Sequence, residues 1–405
     1  MSRDGRATWF KTLFGIFEEG SYESIQSHFD VDFEAGLLHS KANDKTYQVG
    51  KFTTPSLNDL RTAGTAALSS SISSTVHFSY DHVVQGDVLL EHAKYPGAVF
   101  QAASQFNCLE FPNWTVTPEH GVTGYSTDPT QGPACALACA AGTVIRNYFV
   151  EVSTLAATGT TACGHTSQLG QRQDSQINTL DALEIALNNN QGAFFNIQNG
   201  YTFSQGAEPL ARLSAVIEGS KQSPPSIINY DELLSRVKIG LHADVGVTFR
   251  NRFEVVDISQ GLTVTQAYCS AVSCAYSGIS SAHWTSLARL VLNAAYEATL
   301  WAGVLNALRS PPISAAGTTE ETKTSTFPAP NQTYKHDVFL SFIGGGVFGN
   351  QPEWIGEAIG RAMAIMCYHK APIRVHIAHF RQINDQYVFY IDRAYKCHLA
   401  ELNSA

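Results

Sequence analysis

The stretch Val338-Phe339-Leu340-Ser341-Phe342-Ile343 runs straight into Gly344-Gly345-Gly346-Val347-Phe348-Gly349-Asn350. An apolar, β-prone run of this length predicts a buried strand. Three glycines directly after it leave backbone N–H groups uncovered by side chains. Beyond them Trp354, Ile355, Ala358, Ile359, Ala362 and Met363 recur at helical spacing. Strand, glycine turn and helix N-terminus together make an anion site, because unpaired N–H groups and the helix dipole converge there. Phosphate or diphosphate is the natural guest. A plain tight turn between strand and helix is the other reading of the same glycines.

Working outward, the 405 residues suffice for one large or two ordinary domains, and 44% hydrophobic with 15% charged residues suits a well-packed globular chain. A net charge of -9 supplies no basic stripe for a nucleic-acid backbone, so no nucleic-acid partner is expected. It leaves room for a nucleotide-sized ligand held by backbone N–H groups. No run of about 18 apolar residues occurs, so no membrane span is expected. Met1 to Gly20 lacks the apolar core of a signal peptide. Cys108, Cys135, Cys139, Cys163, Cys269, Cys274, Cys367 and Cys397 form no CxxC pair, and several sit among Ala and Val. Reduced core thiols in a cytoplasmic protein are the expectation, with disulfides or a zinc site as alternatives. The fourteen histidines show no metal-ligand spacing, and neither metal nor cofactor is expected.

Residues 1–75 read as an N-terminal extension, with an amphipathic Trp9–Phe17 segment and a Ser-rich stretch at Ser69 to Ser74. Residues 76–405 read as one domain carrying an insertion at about 151–260. In that domain Gly97 to Gln105 predicts a strand ending in a polar loop, and Ala134 to Tyr148 a closely packed helix. The insertion holds Gly/Thr-rich (157–164) and Asn/Gln-rich (188–199) patches around a helix at Ile177–Leu187. Val264 to Ala271 predicts a strand, Trp284 to Leu308 a long apolar helix, Ser310 to Thr333 a loop, and Ile373 to His379 a last strand. Strands alternating with helices mean an α/β class with a largely parallel sheet and helices on both faces.

Four segments, in order, resemble a macrodomain, the ADP-ribose-binding module with a three-layer α/β/α mixed sheet. Val84-Gln85-Gly86-Asp87-Val88 resembles the family's Gly-Asp-Ile signature. Ala98 to Asn107 resembles the strand that ends in Asn-Ala-Ala-Asn beside the distal ribose. Gly121 to Asp128, followed by Thr130-Gln131-Gly132-Pro133-Ala134-Cys135 and Ala140-Ala141-Gly142, stand where the family has its first glycine loop and helix. The Val264 strand with the Ala295-Tyr296-Glu297-Ala298-Thr299-Leu300 helix looks like the next unit. Gly344 to Asn350 is similar to the second phosphate loop, in the version seen in poly(ADP-ribose) glycohydrolases. Thr130-Gln131-Gly132-Pro133 stands in place of the Gln-Glu-Glu of those glycohydrolases, a departure that argues against cleavage of ribose–ribose chains. The Asp128–Pro133 phrase, the Tyr296–Leu300 helix and the glycine loop look more like MavL-type macrodomains, which remove ADP-ribose from arginine.

The resemblance implies a hydrolase that frees ADP-ribose from protein side chains, arginine above all. A non-catalytic ADP-ribose reader and an enzyme acting on a free ADP-ribose derivative are the alternatives. It implies that Asp87, with Val88, meets the adenine, and that Gln105 and Asn107 meet the distal ribose. Thr130, Gln131 and Gly132 would line the first loop. Gly344, Gly345, Gly346, Val347, Gly349 and Asn350 would hold the diphosphate, with Phe348 along the adenosine. Attack of water on C1″ passes through an oxocarbenium-like state, which needs a carboxylate to orient water or stabilise positive charge. Asp128, Asp244 and Glu297 are the catalytic candidates, with Glu110 behind them. A loop Asp before Pro is equally a turn former, and a helix glutamate equally a solvated face. Asp244 interrupts the otherwise apolar run Ile239–Val245, where a buried acid would need a partner. Gln176, Asn178, Asn199 and Tyr201 are candidates for a lid over the ligand.

Overall fold

Seven strands make the main sheet of the computed structural model: β1 (Lys51–Thr53), β2 (Ser79–Gln85), β3 (Val99–Ala103), β4 (Gly240–Gly246), β5 (Thr263–Cys269), β6 (Asp337–Leu340) and β7 (Arg374–Phe380). The structure describes residues 8–70, 75–152, 168–222, 228–251, 254–309 and 333–404. The order across the sheet is β1-β4-β5-β3-β6-β7-β2. The five strands from β5 to β2 are mutually parallel, and β4 and β1 add an antiparallel edge. All five parallel strands therefore end at one edge, which carries the loops after Ala103, Cys269, Leu340, Phe380 and Gln85. In an open α/β sheet, ligands bind outside those carboxyl ends.

Parallel strands read as nearly continuous apolar runs because both faces are covered. Alternation then sorts side chains between two cores. Val99, Ala267, Val338, Val375 and Ile377 join the helices α1 (Leu57–Ser70), α5 (Thr285–Leu308), α6 (Pro352–Tyr368) and α7 (Asp385–Ser404). Phe100, Tyr268 and Phe339 face α2 (Val88–Lys94), α3 (Gln131–Ala138) and α4 (Ala140–Tyr148). Helix α5 buries residues on every side, and its few polar side chains, such as Glu297 and Asn306, are paired. The chain is thus a mixed α/β protein with helices against both sheet faces. Among the described residues no helix is long and apolar enough to cross a membrane. Cys108, Cys135, Cys139, Cys269 and Cys274 are buried free thiols.

Several boundaries differ from the sequence reading. Residues 1–75 are not a detached extension: β1 pairs with β4, Leu241 opposite Thr53, and α1 lies against α5. Gly64 meets the Trp301 ring so closely that an added Cβ would sit 2.3 Å from it. An open β4 edge would expose unpaired backbone, and a short polar strand closes it. The insertion likewise ends before 240, because β4 is part of the main sheet. The expected Ala134–Tyr148 helix is two helices, broken at Cys139 (φ -123°, ψ 55°). The C-terminal helix α7 was not foreseen. The patch 157–164, Cys163 and nearly all of Ser310–Thr333 lie outside the described residues.

Two histidines are fully buried between these elements. His92 Nδ1 donates to Val88 O (2.8 Å) and its Nε2 faces the Gln266 amide nitrogen (3.0 Å). His242 Nε2 donates to Val49 O (2.6 Å). Burial pushes their pKa values down to about 4 and about 3 respectively. A residue held neutral in the fold, but protonated once unfolded, gives stability that is complete above pH 6.5 and drains as pH falls toward 4. Unfolding free energies from urea titration should therefore drop steeply between neutral pH and pH ~4.5, by about 3 kcal/mol per histidine. A His92→Gln variant should show a shallower decline; an equally steep one would exclude His92 as a source.

Candidate functional site

The loop that follows β6 is held open by buried polar anchors. Tyr296, from α5, donates its hydroxyl to Ser341 O (2.6 Å) and accepts the Ile343 N–H (3.0 Å). Asn350 is 3% exposed; its Nδ2 donates to Val272 O (2.8 Å) and Gly344 O, and its Oδ1 has no partner. Gly344 adopts φ +74°, and a Cβ there would sit 2.4 Å from the Ala271 methyl. Within this frame the N–H groups of Gly345, Gly349 and Asn350 are spent on Phe342 O, Gly346 O and Gly344 O. Those of Gly344, Gly346, Val347 and Phe348 have no partner among the described residues, and Gly346 and Val347 are exposed. Gly345, Gly349 and Asn350 thus act as internal braces of the loop.

Phe348 is corrected in orientation. Its ring is 9% exposed and packs on Tyr201 (5.4 Å between centroids) and Tyr276 (5.7 Å), so it anchors the loop rather than facing a ligand. Burial raises the phenol pKa values of Tyr201 and Tyr276, with Tyr276 and then Asp128 adding to the first and Asp128 to the second. Asp128 ends the turn at Thr123–Thr127, just before α3. Its Oδ1 accepts from the backbone N–H (2.8 Å) and hydroxyl (2.6 Å) of Thr130. This turn delivers the chain into α3, whose N-terminus has no side-chain cap.

Helix α3 starts against the carboxyl end of β3. The Gln131 amide accepts the Ala103 N–H (2.8 Å) and donates to Gln101 O (2.7 Å). A Cβ on Gly132 would lie 1.9 Å from Ala103 O, so only glycine permits the approach. Gln131 and Gly132 therefore build the edge, while Thr130 is exposed on it. Asp87 stands at the same edge after β2, accepting the Leu89 N–H as the cap of α2, and the Val88 side chain turns into the core.

Other candidates are placed elsewhere. Asp244 sits at an irregularity in β4 near the amino end of β5, with φ +55°, in a two-pronged ion pair with Arg309 at the end of α5. That is the opposite edge of the sheet. Glu297 is not on a solvated face: it is 1% exposed between Arg61, Arg361 and the Trp301 N–H, and its carboxyl pKa is lowered against strong desolvation. It ties three helices together. Gln105 spends its amide on the N–H and O of Phe111, and Asn107 on Leu109 N–H and Gln176. These two are buried and hold the loop's shape through those bonds. Glu110 is buried on Arg146 (2.9 Å), and burial pushes its carboxyl up to about 7.

The insertion residues form a latch rather than a free lid. Asn107 donates to Gln176, Gln176 to Asn199, and Asn199 to Trp114 O (2.6 Å). Asn178 lies apart, bonded to Glu184. Sequence reading missed Tyr276 and Phe380. Phe380 ends β7 opposite Gln85, two residues before Asp87, with its ring 65% exposed. Phe380 is the last residue of β7, and an exposed aromatic at a strand's carboxyl end is the signal that marks it. Among the described residues no group of histidine, cysteine and carboxylate side chains is arranged to hold a metal ion. No protein-family model, curated protein or solved structure matches the chain.

Proposed function

We propose that this protein binds the ADP-ribosyl group along the carboxyl edge of a macrodomain-like sheet and hydrolyses its bond to a modified side chain, arginine being the target. The observation that carries the reading is the set of four N–H groups at Gly344, Gly346, Val347 and Phe348 that have no partner among the described residues. Such a set can bind a diphosphate without any lysine or arginine, which fits a chain of net charge -9. On this reading the exposed Phe380 ring offers a stacking face to the adenine and Asp87 an acceptor to its amino group. Asp128 has one oxygen committed to Thr130 and the other directed to water or to the positive charge growing at C1″.

The test uses a protein carrying ADP-ribose on arginine, with release of ADP-ribose followed over time. An Asp128→Asn variant should bind ADP-ribose as the parent does and release it roughly a hundredfold more slowly. Binding without release in the unaltered protein would favour the reader alternative. Absence of binding would defeat both.

A further inference from the structure

We propose that Tyr201 is a positioning residue that sets the spacing between the glycine loop and the Asp128 loop, acting through its ring on one and its hydroxyl on the other. The inference rests on the functional reading for its catalytic consequences, although the mechanical link can be tested without any ligand.

Tyr201 begins the second strand of a hairpin, Asn196–Gln198 paired with Tyr201–Phe203, that no part of the main sheet requires. The hairpin touches the loops after β3, β5 and β6. Gly200 O accepts the Phe106 N–H (3.0 Å), which ties it to the loop after β3. Thr202 and Ser273 exchange backbone and hydroxyl bonds of 2.8 to 3.0 Å, which tie it to the loop after β5. The Tyr201 ring packs on Phe348, whose own N–H is among the unpartnered donors.

The hydroxyl reaches the other way, donating to Phe111 O at 2.9 Å. The Phe111 ring meets Tyr125 edge-on at 5.5 Å, and Tyr125 O accepts the Asp128 N–H at 3.2 Å. One side chain, 1% exposed, thus connects, through Phe111 and Tyr125, the two segments whose separation decides whether a carboxylate faces C1″ when the diphosphate is bound. Because ring and hydroxyl serve different loops, the two roles can be separated by substitution.

Tyr201→Phe keeps the ring and deletes the hydroxyl; Tyr201→Leu removes both. Amide hydrogen exchange of the full chain reads the mechanical link. Tyr201→Leu should speed exchange of the Gly345 and Asn350 amides by about tenfold, whereas Tyr201→Phe should leave them as they were. With ADP-ribosylated substrate, Tyr201→Phe should keep KM within about twofold and lower kcat by about tenfold, while Tyr201→Leu should worsen both. Unchanged loop exchange in Tyr201→Leu, or indistinguishable behaviour of the two variants, would overturn the proposal. If the unaltered protein fails to bind ADP-ribose, the functional reading falls, and the exchange comparison still decides the strut.

Discussion

Replacing Gly346 by glutamate should abolish ADP-ribose binding while the protein folds as before. Gly346 has a φ outside the left-handed region, and a Cβ there meets nothing within 4 Å. The substitution therefore adds a side chain without straining the turn. It also sets a carboxylate beside the unpartnered N–H groups of Gly346, Val347 and Phe348, where it repels a diphosphate and competes for its donors. An affinity loss of at least roughly a hundredfold is expected by calorimetry, with an unchanged urea midpoint. Gly346→Ala is the matched control and should bind nearly normally. Gly345 is a poorer choice, because its Cβ would press on the Tyr387 hydroxyl at 2.7 Å and its N–H already serves Phe342 O. Undiminished affinity in Gly346→Glu would remove the glycine loop from the site.

A second large effect is expected at Gly132. The added methyl of Gly132→Ala would stand 1.9 Å from a backbone oxygen, that of Ala103, and backbone cannot swing aside as a side-chain tip can. Either α3 lifts from the end of β3 or the strand end distorts, and the Gln131 bonds to Gln101 O and Ala103 N–H weaken with it. A loss of about 3 kcal/mol in urea unfolding is expected. Asp128 and Thr130 sit immediately before this helix, so ADP-ribose release should fall further than stability alone explains. Full stability in Gly132→Ala would mean that the helix approaches β3 less closely than described.

These two glycines show how differently a sequence speaks about its parts. The glycine run after an apolar strand was legible because both signals are local: a period-two apolar run and residues without Cβ. Gly132 was equally visible as a residue, yet its role was not, since the atom it must avoid belongs to a strand some 30 positions earlier. In the sequence Asp128, Asp244 and Glu297 stand together as catalytic candidates, the first by its place in the resembling loop, the second as an acid in an apolar run, the third on the resembling helix. Their separation came from Arg309, Arg61 and Arg361, which fold over the latter two from distant helices. The buried amides tell the same story. Gln105 and Asn107 lie where the resemblance assigns ribose ligands, and Phe111 and Gln176 had already claimed them.

The sequence by itself determined the alternation of strands and helices, the strands around Val99, Val264, Val338 and Arg374, the long helix behind them and the glycine turn at Gly344. All of these follow from periodicity and from residue types whose backbone preferences act within a few positions. Only the tertiary structure decided which polar groups stay free for a guest and which are consumed as scaffold. A hydrogen bond saturates its partners wherever in the chain they lie, and Glu297 finds Arg61 across 236 positions.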